Sequence, residues 1–426
     1  MARLGLIVVD EEHDNAYAQQ DGLRYSARDV AVKRAHLHHC PIVLGSATPS
    51  LETLDNAWRS RYQHHTLAQR AGGAAPPSVN ILDIRGLALH GGISPLLQTA
   101  ITATLARREQ VLLFINRRGF APSLLCHDCG WVADCQHCDA RMTVHRQPAS
   151  LRCHHCSARR PLPVQCPSCQ SRRLVSAGLG TEQVEQALVA NFPATPIYRV
   201  DSDTMTQRGA MQQLRDALDT DQGVLMVGTQ MLSKGHDFPR VTLVGVLDAD
   251  SMLFNPDFRG EERLLQLLTQ VGGRAGRAKH AGQVIIQTRQ PDHPLITQVL
   301  RTDYQILARQ LLTQRSQQGL PPHGAVAAIR CDSRQLNQGL DFLQRVSREA
   351  PHTNAHQRPR GGGRIIGPLP AAMARRAGLY RSQLIIMAEN RSELGHKIRA
   401  LVAYADTLKK PAGLAWFVDI DPVEPF

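Results

Sequence analysis

The sequence predicts a doubly wound α/β domain that is interrupted by a cysteine-rich insertion and followed by a small α+β domain. Three observations carry this. Apolar runs without alternation, such as Val111–Ile115 and Val241–Leu247, suit parallel strands buried on both faces. These runs alternate with helical segments, as in an open parallel sheet wrapped by helices. Four C-x-x-C pairs lie within one 44-residue stretch in the middle of that alternation.

Taken in order, Leu4–Val9 reads as a strand, Ala27–Leu37 as a helix, and Pro41–Leu44 as a strand ending in Gly45-Ser46-Ala47-Thr48-Pro49. Ala71–Ser78, rich in Gly, Ala and Pro, reads as a linker. A strand near Val79–Ile84, a helix at Pro95–Arg107 and a strand at Val111–Ile115 precede the cysteines, which occupy Pro122 to Arg173. The alternation resumes with a helix at Glu182–Asn191 and strands at Ile197–Val200, Val224–Val227 and Val241–Leu247. A helix at Glu261–Gln270 and a strand at Gln283–Gln287 complete it. One long helix is expected over Pro294–Gln318, and Leu320-Pro321-Pro322 marks a boundary. The tail reads strand (Val326–Cys331), helix (Gln335–Glu349), strands (Ile365–Gly367 and Gln383–Met387), helix (Ser392–Leu408) and strand (Ala415–Val418). That β-α-β-β-α-β order is ferredoxin-like. His356–Arg364, with three glycines and three arginines, reads as a basic loop.

The 426 residues carry 49 Lys+Arg against 37 Asp+Glu, a formal net charge of +12, which points to a polyanionic partner. With only 4% aromatic residues, extensive base stacking is not expected. Nothing approaches 18 consecutive apolar residues, so no membrane span is expected. The short run Leu4–Val9 meets Asp10, Glu11 and Glu12 too soon for a signal peptide, and a cytoplasmic protein is expected.

In that compartment clustered cysteines point to metal rather than disulfides. Cys126/Cys129, Cys135/Cys138, Cys153/Cys156 and Cys166/Cys169 are separated by 5, 14 and 9 residues. Each C-x-x-C supplies half of a tetrahedral site, so eight thiolates make two closed sites. Pairing can be sequential, interleaved or nested. The 14-residue gap matches a zinc-ribbon loop and favours nesting: Cys135, Cys138, Cys153 and Cys156 on one ion, Cys126, Cys129, Cys166 and Cys169 on the other. Ferredoxin spacings are absent, so zinc is preferred to iron–sulfur. With no open position the zinc is structural. His127, His137, His154 and His155 are then expected to face solvent, and the lone Cys40 and Cys331 read as small buried hydrophobes. Seven arginines (141, 146, 152, 159, 160, 172 and 173) against Asp128, Asp134 and Asp139 make the ribbon a candidate nucleic-acid contact.

Asp10-Glu11-Glu12-His13 follows a buried strand, where nucleotide hydrolases place a magnesium-holding acid and a water-orienting acid. Gln270-Val271-Gly272-Gly273-Arg274-Ala275-Gly276-Arg277 places two guanidinia three residues apart, suited to a transferred phosphoryl group. With Gly45-Ser46-Ala47-Thr48-Pro49, these stretches resemble the Walker B, third and sixth motifs of superfamily-two helicases. Asn116-Arg117-Arg118-Gly119-Phe120, Gly178–Glu182 and Gly228–Phe238 fit the same order. With eight cysteines between the fourth and fifth motifs, the chain resembles the primosomal replication-restart helicase (PriA) family from Leu4 to Asp419-Ile420-Asp421-Pro422.

The resemblance implies an ATP-dependent 3′→5′ DNA helicase that recognises stalled forks and D-loops, starts primosome assembly, and uses ATP, magnesium and two zinc ions. It implies RecA-like lobes: residues 1–65 as a remnant of the first, 66–122 and 174–320 as the second, 123–173 as the two-zinc insertion, and 321–426 as the C-terminal α+β domain. Asp10 would bind magnesium and Glu11 activate water, with Arg274 and Arg277 facing the γ-phosphate. His13, Ser46, Thr48, Gly235, Asp237 and Gln270 would couple nucleotide to DNA, and Asn116, Arg117 and Arg118 would lie on the DNA track. Arg375–Gln383 resembles a segment implicated in binding the single-stranded DNA-binding protein, although Leu379 and Ser382 replace residues usually basic and aromatic there. Leu23, in the loop Tyr17–Tyr25, stands where the family often has a bulkier aromatic. No Gly-Lys dipeptide, hence no G-x-x-x-x-G-K-[ST] phosphate loop, occurs in the sequence. The isolated chain is therefore expected not to hydrolyse ATP, and Leu4–Val9 is expected to expose an apolar face. A non-catalytic zinc-stabilised docking module is the alternative; an unrelated zinc-ribbon binder would leave the Gly-Arg-Ala-Gly-Arg and Gly-Ser-Ala-Thr-Pro stretches unexplained.

Overall fold

The computed structural model describes residues 4–20, 22–67, 77–115, 123–137, 141–146, 149–153, 158–176, 181–200, 204, 209–220, 222–228, 240–255, 257–273, 275, 282–299, 301–349 and 364–423. Strands β1 (Ile7–Val9) and β2 (Ile42–Leu44) form a parallel pair with Val8 opposite Val43. Those two side chains are 62% and 51% exposed, so the pair presents the expected apolar face. The helices that follow the two strands, Ala27–His38 and Leu51–Trp58, start at Ser26 and Ser50, whose hydroxyls cap backbone N–H groups.

Strands β3 (Ser78–Asp83) and β4 (Gln110–Phe114) precede the cysteines. Within the cysteine-rich stretch, β5 (Leu124–Cys126) pairs with β9 (Leu174–Ser176), while β6 (Met142–Arg146), β7 (Ala149–Cys153) and β8 (Arg159–Arg160) form a three-stranded sheet. Strands β10 (Ile197–Val200), β11 (Leu225–Gly228), β12 (Val241–Val246) and β13 (Gln283–Thr288) follow. All six long-range partners join one parallel sheet in the order β10-β11-β4-β12-β13-β3. Its burial explains the missing alternation in the sequence. Leu112 and Phe114 of β4 enter a core with Leu264, Leu268, Leu307 and, from helix Leu51–Trp58, Leu51 and Leu54. Val111, Leu113 and Ile115 enter the core on the other face, against Leu97, Ile101 and Leu188.

The last four strands, β14 (Ala325–Ser333), β15 (Ile365–Arg376), β16 (Leu379–Ala388) and β17 (Ala415–Ile420), make an antiparallel sheet ordered β15-β16-β14-β17. That is the ferredoxin-like arrangement, with helices Leu336–Glu349 and Arg391–Thr407 packed on it. Among the described residues no helix is long and apolar enough to cross a membrane.

The structure corrects several element readings. The long helix over Pro294–Gln318 is two, Pro294–Gln298 and Tyr304–Gln318, because Asp303 turns its carboxylate onto Gln305 N (2.7 Å) and starts a new helix. The short strands near Ile365 and Gln383 are the inner parts of a long hairpin. Ala377 (φ 48°) and Gly378 (φ 81°) form its two-residue turn, between the paired Arg376 and Leu379. Helices Ala210–Leu218 and Ala249–Leu253 were not expected. The linker (but for Pro77 and Ser78) and the basic loop (but for Arg364) lie outside the described residues.

Candidate functional site

The turn Asp10–His13 leaves β1 beside the turn leaving β2, because Gly45 N donates to Val9 O (2.8 Å) and Glu12 N donates to Gly45 O (3.1 Å). Glu11 adopts a left-handed backbone (φ 47°), uncommon for a residue with a side chain and a feature of constrained functional turns. Its Oε2 is buried with no hydrogen-bond partner among the described residues, 3.5 Å from His13 Nδ1. Asp10 stays exposed, and its Oδ1 accepts from Glu11 N (2.9 Å).

His13, Ser46, Thr48 and Gln270 come together. His13 Nδ1 lies 2.8 Å from Ser46 Oγ, which also accepts from Thr48 N (2.9 Å). Gln270 Nε2 reaches His13 Nε2 (2.8 Å) and Thr48 Oγ1 (3.1 Å). An amide nitrogen only donates, so His13 Nε2 accepts and Nδ1 carries the proton given to Ser46. One imidazole thus joins the carboxylate turn, the second turn and the helix Gly260–Gly272 of the six-stranded domain.

The sequence reading missed the groups that hold this bridge. Two carboxylates 250 positions apart in sequence meet at the start of helix Leu51–Trp58: Glu12 accepts from Ser50 N (2.6 Å), and Glu262 accepts from Leu51 N (2.9 Å). Glu12 also accepts from Thr53 Oγ1 (2.9 Å) and Arg28 (3.1 Å), and Glu262 accepts from Arg315 (2.6 Å). Burial pushes the Glu52 carboxyl up, but Arg259, Arg315 and Arg28 outweigh it and hold Glu52 below the usual carboxylate range. Removing one member of such a cluster strands a buried charge, costing about 3–5 kcal/mol. A carboxylate facing two arginines leaves no periodic signal in the sequence. Asn116, Arg117, Arg118, Gly235, Asp237, Arg274 and Arg277 lie outside the described residues.

The sulfurs of Cys126, Cys129, Cys166 and Cys169 lie within 4.8 Å of one another. Cys126–Cys169 and Cys129–Cys166 are 3.6 and 3.7 Å apart. A tetrahedral zinc with Zn–S of about 2.3 Å requires S–S edges of about 3.8 Å, so the four thiols fit that ion. Both loops are shaped alike: Cys126 N donates to Trp131 O and Cys166 N to Ser171 O, five residues on. Each then ends in a left-handed residue, Gly130 (φ 77°) or Gln170 (φ 61°). Cys153 N donates to Ala158 O in the same way, and Cys135 and Cys153 share one small buried cluster. Their partners Cys138 and Cys156 lie outside the described residues, as do His154 and His155.

His127 does not face solvent. It is buried, with Nε2 2.9 Å from Leu87 O and Nδ1 3.1 Å from Arg289 Nη2. The guanidinium can only donate, so Nδ1 accepts and Nε2 donates. Arg289 in turn pairs with buried Asp250 (3.3 Å), and a Cβ on Gly130 would lie 2.5 Å from Arg289 O. The cysteine-rich stretch follows β4, an interior strand, and is bolted through His127 and Gly130 to the segments just beyond β3 and β13. Its charge is also less free than the sequence suggests: Arg141 pairs with Asp134, Arg173 with Asp128, and Arg152 is buried.

Three family descriptions match in succession: the PriA DNA helicase Cys-rich region domain (135–161), the helicase conserved C-terminal domain (169–279) and the primosomal protein N C-terminal domain (316–423). Replication restart protein PriA of Haemophilus influenzae is 42% identical over 99% of this chain and 57% of its own length. That of Bacillus subtilis is 37% identical over 94% of this chain and 50% of its own. That of Synechocystis is 40% identical over 91% of this chain and 47% of its own. The chain thus spans about half the length of the curated relatives it matches. By these matches it belongs to the PriA family of replication restart proteins, over the part of that family's length that carries the Cys-rich region, the helicase C-terminal domain and the PriA C-terminal domain.

Proposed function

We propose that the chain supplies the nucleotide-responsive half of an ATP-dependent 3′→5′ DNA helicase that acts at stalled forks and D-loops and begins primosome assembly. The observation that carries this is the His13–Ser46–Thr48–Gln270 bridge, which links a strand-end carboxylate turn to a helix of the second lobe. Bound ATP and magnesium would supply the phosphoanhydride bond and its charge neutralisation. Asp10, exposed at the strand end, would hold the metal. Glu11 Oε2, buried 3.5 Å from His13 Nδ1 and without a hydrogen-bond partner among the described residues, would accept a water proton. Arg274 and Arg277 follow the helix that presents Gln270 and would face the phosphates, while Gly235, Asp237 and Asn116–Arg118 would meet nucleotide and DNA. Zinc on the outer four cysteines, and a second ion on Cys135, Cys138, Cys153 and Cys156, would shape the module that carries exposed Arg159 and Arg172. Residues 1–65 would be a first-lobe remnant, 66–122 and 174–320 the second lobe, 123–173 the zinc module and 321–426 the partner-facing domain. Single-stranded DNA-binding protein and primosome proteins are the proposed partners, in the cytoplasm.

Phosphoryl transfer depends on positioning, and no phosphate loop with its lysine is present among the 426 residues. The chain alone is therefore expected to bind forked DNA without turnover, the behaviour of a docking module. A phosphate-release assay with forked DNA tests this. Turnover that disappears in Glu11→Gln would overturn it and would mean that another segment cradles the phosphates.

A further inference from the structure

The Asp419-Ile420-Asp421-Pro422 stretch has no part in the site described above, yet it passes where three bodies of the molecule meet. β17 ends the C-terminal sheet and pairs with β14. Asp419 is buried there, with Oδ2 3.2 Å from Arg330 on β14 and 3.6 Å from Arg24. The Arg24 guanidinium also lies over the Phe417 ring, 4.0 Å from its centroid. Arg24 belongs to the loop that follows the carboxylate turn. That loop is tied back to the turn by Tyr17, whose hydroxyl donates to Asp10 O (2.7 Å), and is closed by Gln19 N donating to Tyr25 O (2.9 Å).

Beyond β17 the backbone turns at Asp421 (φ 51°), which is fixed by its N–H on Val326 O (3.0 Å) and by Arg391 (2.7 Å). It then crosses to the second lobe. Pro422 O accepts from Arg259 Nη1 (3.0 Å), and Val423 O accepts from Arg263 Nη2 (2.8 Å). These two arginines flank the first turn of helix Gly260–Gly272, which carries Gln270. Arg259 touches the first-lobe remnant as well, with Nη2 3.6 Å from Glu52 on helix Leu51–Trp58. One five-residue segment therefore grips the first lobe through Arg24 and the second through Arg259 and Arg263.

We propose that Asp419–Val423 is a strap by which the C-terminal domain holds the first-lobe remnant closed on the second lobe. The grip on the second lobe uses backbone carbonyls, so it depends on the path of the chain rather than on side-chain identity at Pro422 and Val423. The grip on the first lobe uses the charge of Asp419, which Arg330 holds in place, and Arg24 also covers the Phe417 ring two residues before the strap. Closure at one end fixes the strap for the other. This goes beyond the helicase reading and stands on contacts that involve neither nucleotide nor metal.

Hydrogen exchange on the full chain tests it, compared with a chain shortened after Asp421 and with Arg24→Ala. Hydrogen bonds from charged donors are strong enough that their loss should speed local exchange by about tenfold or more. The shortened chain, with β17 whole, should exchange faster both in helix Leu51–Trp58 and in residues 17–25. Arg24→Ala should loosen the same two segments from the opposite end. Protection in β14 and β16 reports that the C-terminal domain is folded; should the shortened chain lose it, Arg24→Ala alone decides, since it leaves the sheet intact. Loosening confined to 17–25 in Arg24→Ala, or no loosening in either variant, would overturn the strap.

Discussion

Asp248 sits just beyond β12 with its side chain buried and Oδ2 without a hydrogen-bond partner among the described residues. Burial, and then the neighbouring Asp250, push its carboxyl up from the ordinary 3.8 to about 6. The folded chain therefore binds a proton between about pH 4 and 6 that the unfolded chain has released. Stability from this group is present below about pH 4 and is lost as pH rises through 6. At 1.36 kcal/mol per unit the loss is roughly 2–3 kcal/mol. Asp248→Asn should remove that slope and raise stability at pH 7 by a similar amount. Urea melts at pH 4.5 and 7 would show it, and an unchanged slope in the variant would refute the assignment. Legibility differed sharply among single residues. Asp10 and Glu11 could be picked out because a carboxylate pair after an apolar run is a local pattern. Glu12, Glu262 and Arg315 could not, since their partners are remote in sequence.

Among elements, the zinc loops were the most legible, because the chelate geometry of C-x-x-C is contained in four residues. What the spacing did not reveal is that the outer loop is also a docking element. His127, between Cys126 and Cys129, holds Leu87 O and Arg289. Elemental analysis should give two zinc per chain, falling to one in Cys166→Ser/Cys169→Ser. In that variant the exchange of Leu87 and Gln290 should speed up while β4 and β12 stay protected, because Val111 and Leu113 of β4 and Leu243 of β12 pack on one face into a core to which the loop contributes none of the described residues. An unchanged zinc content would rule out the outer assignment. The break before Tyr304 escaped sequence reading for a different reason. Asp303 is an ordinary surface residue in a helical pattern until its side chain turns back to cap.

For the whole molecule, the net charge of +12 suggests phosphate contacts, but burial and ion pairing take Arg141, Arg152 and Arg173 out of the basic face. Arg159, Arg160 and Arg172 remain accessible. Each phosphate neutralised contributes about −0.9 to the slope of log affinity against log salt on duplex DNA. The Arg159→Gln/Arg160→Gln/Arg172→Gln variant should flatten that slope by about 2–3 units in binding titrations across salt concentrations. Affinity for forked DNA that ignores salt would count against the phosphate-contact face.

The sequence by itself determined the alternation of strands and helices, the β-α-β-β-α-β order near the C-terminus and the grouping of cysteines. Each is written in periodicity or spacing over a few residues, where backbone geometry acts directly. Only the tertiary structure decided which polar groups meet. Gln270 reaches His13 across 257 positions because Leu51 and Leu54 sink into the core that Leu264 and Leu268 line, and that packing sets the turns after β1 and β2 against helix Gly260–Gly272. Apolar burial of this kind is non-directional, so a sequence shows which residues seek it without showing which distant charges it will bring together.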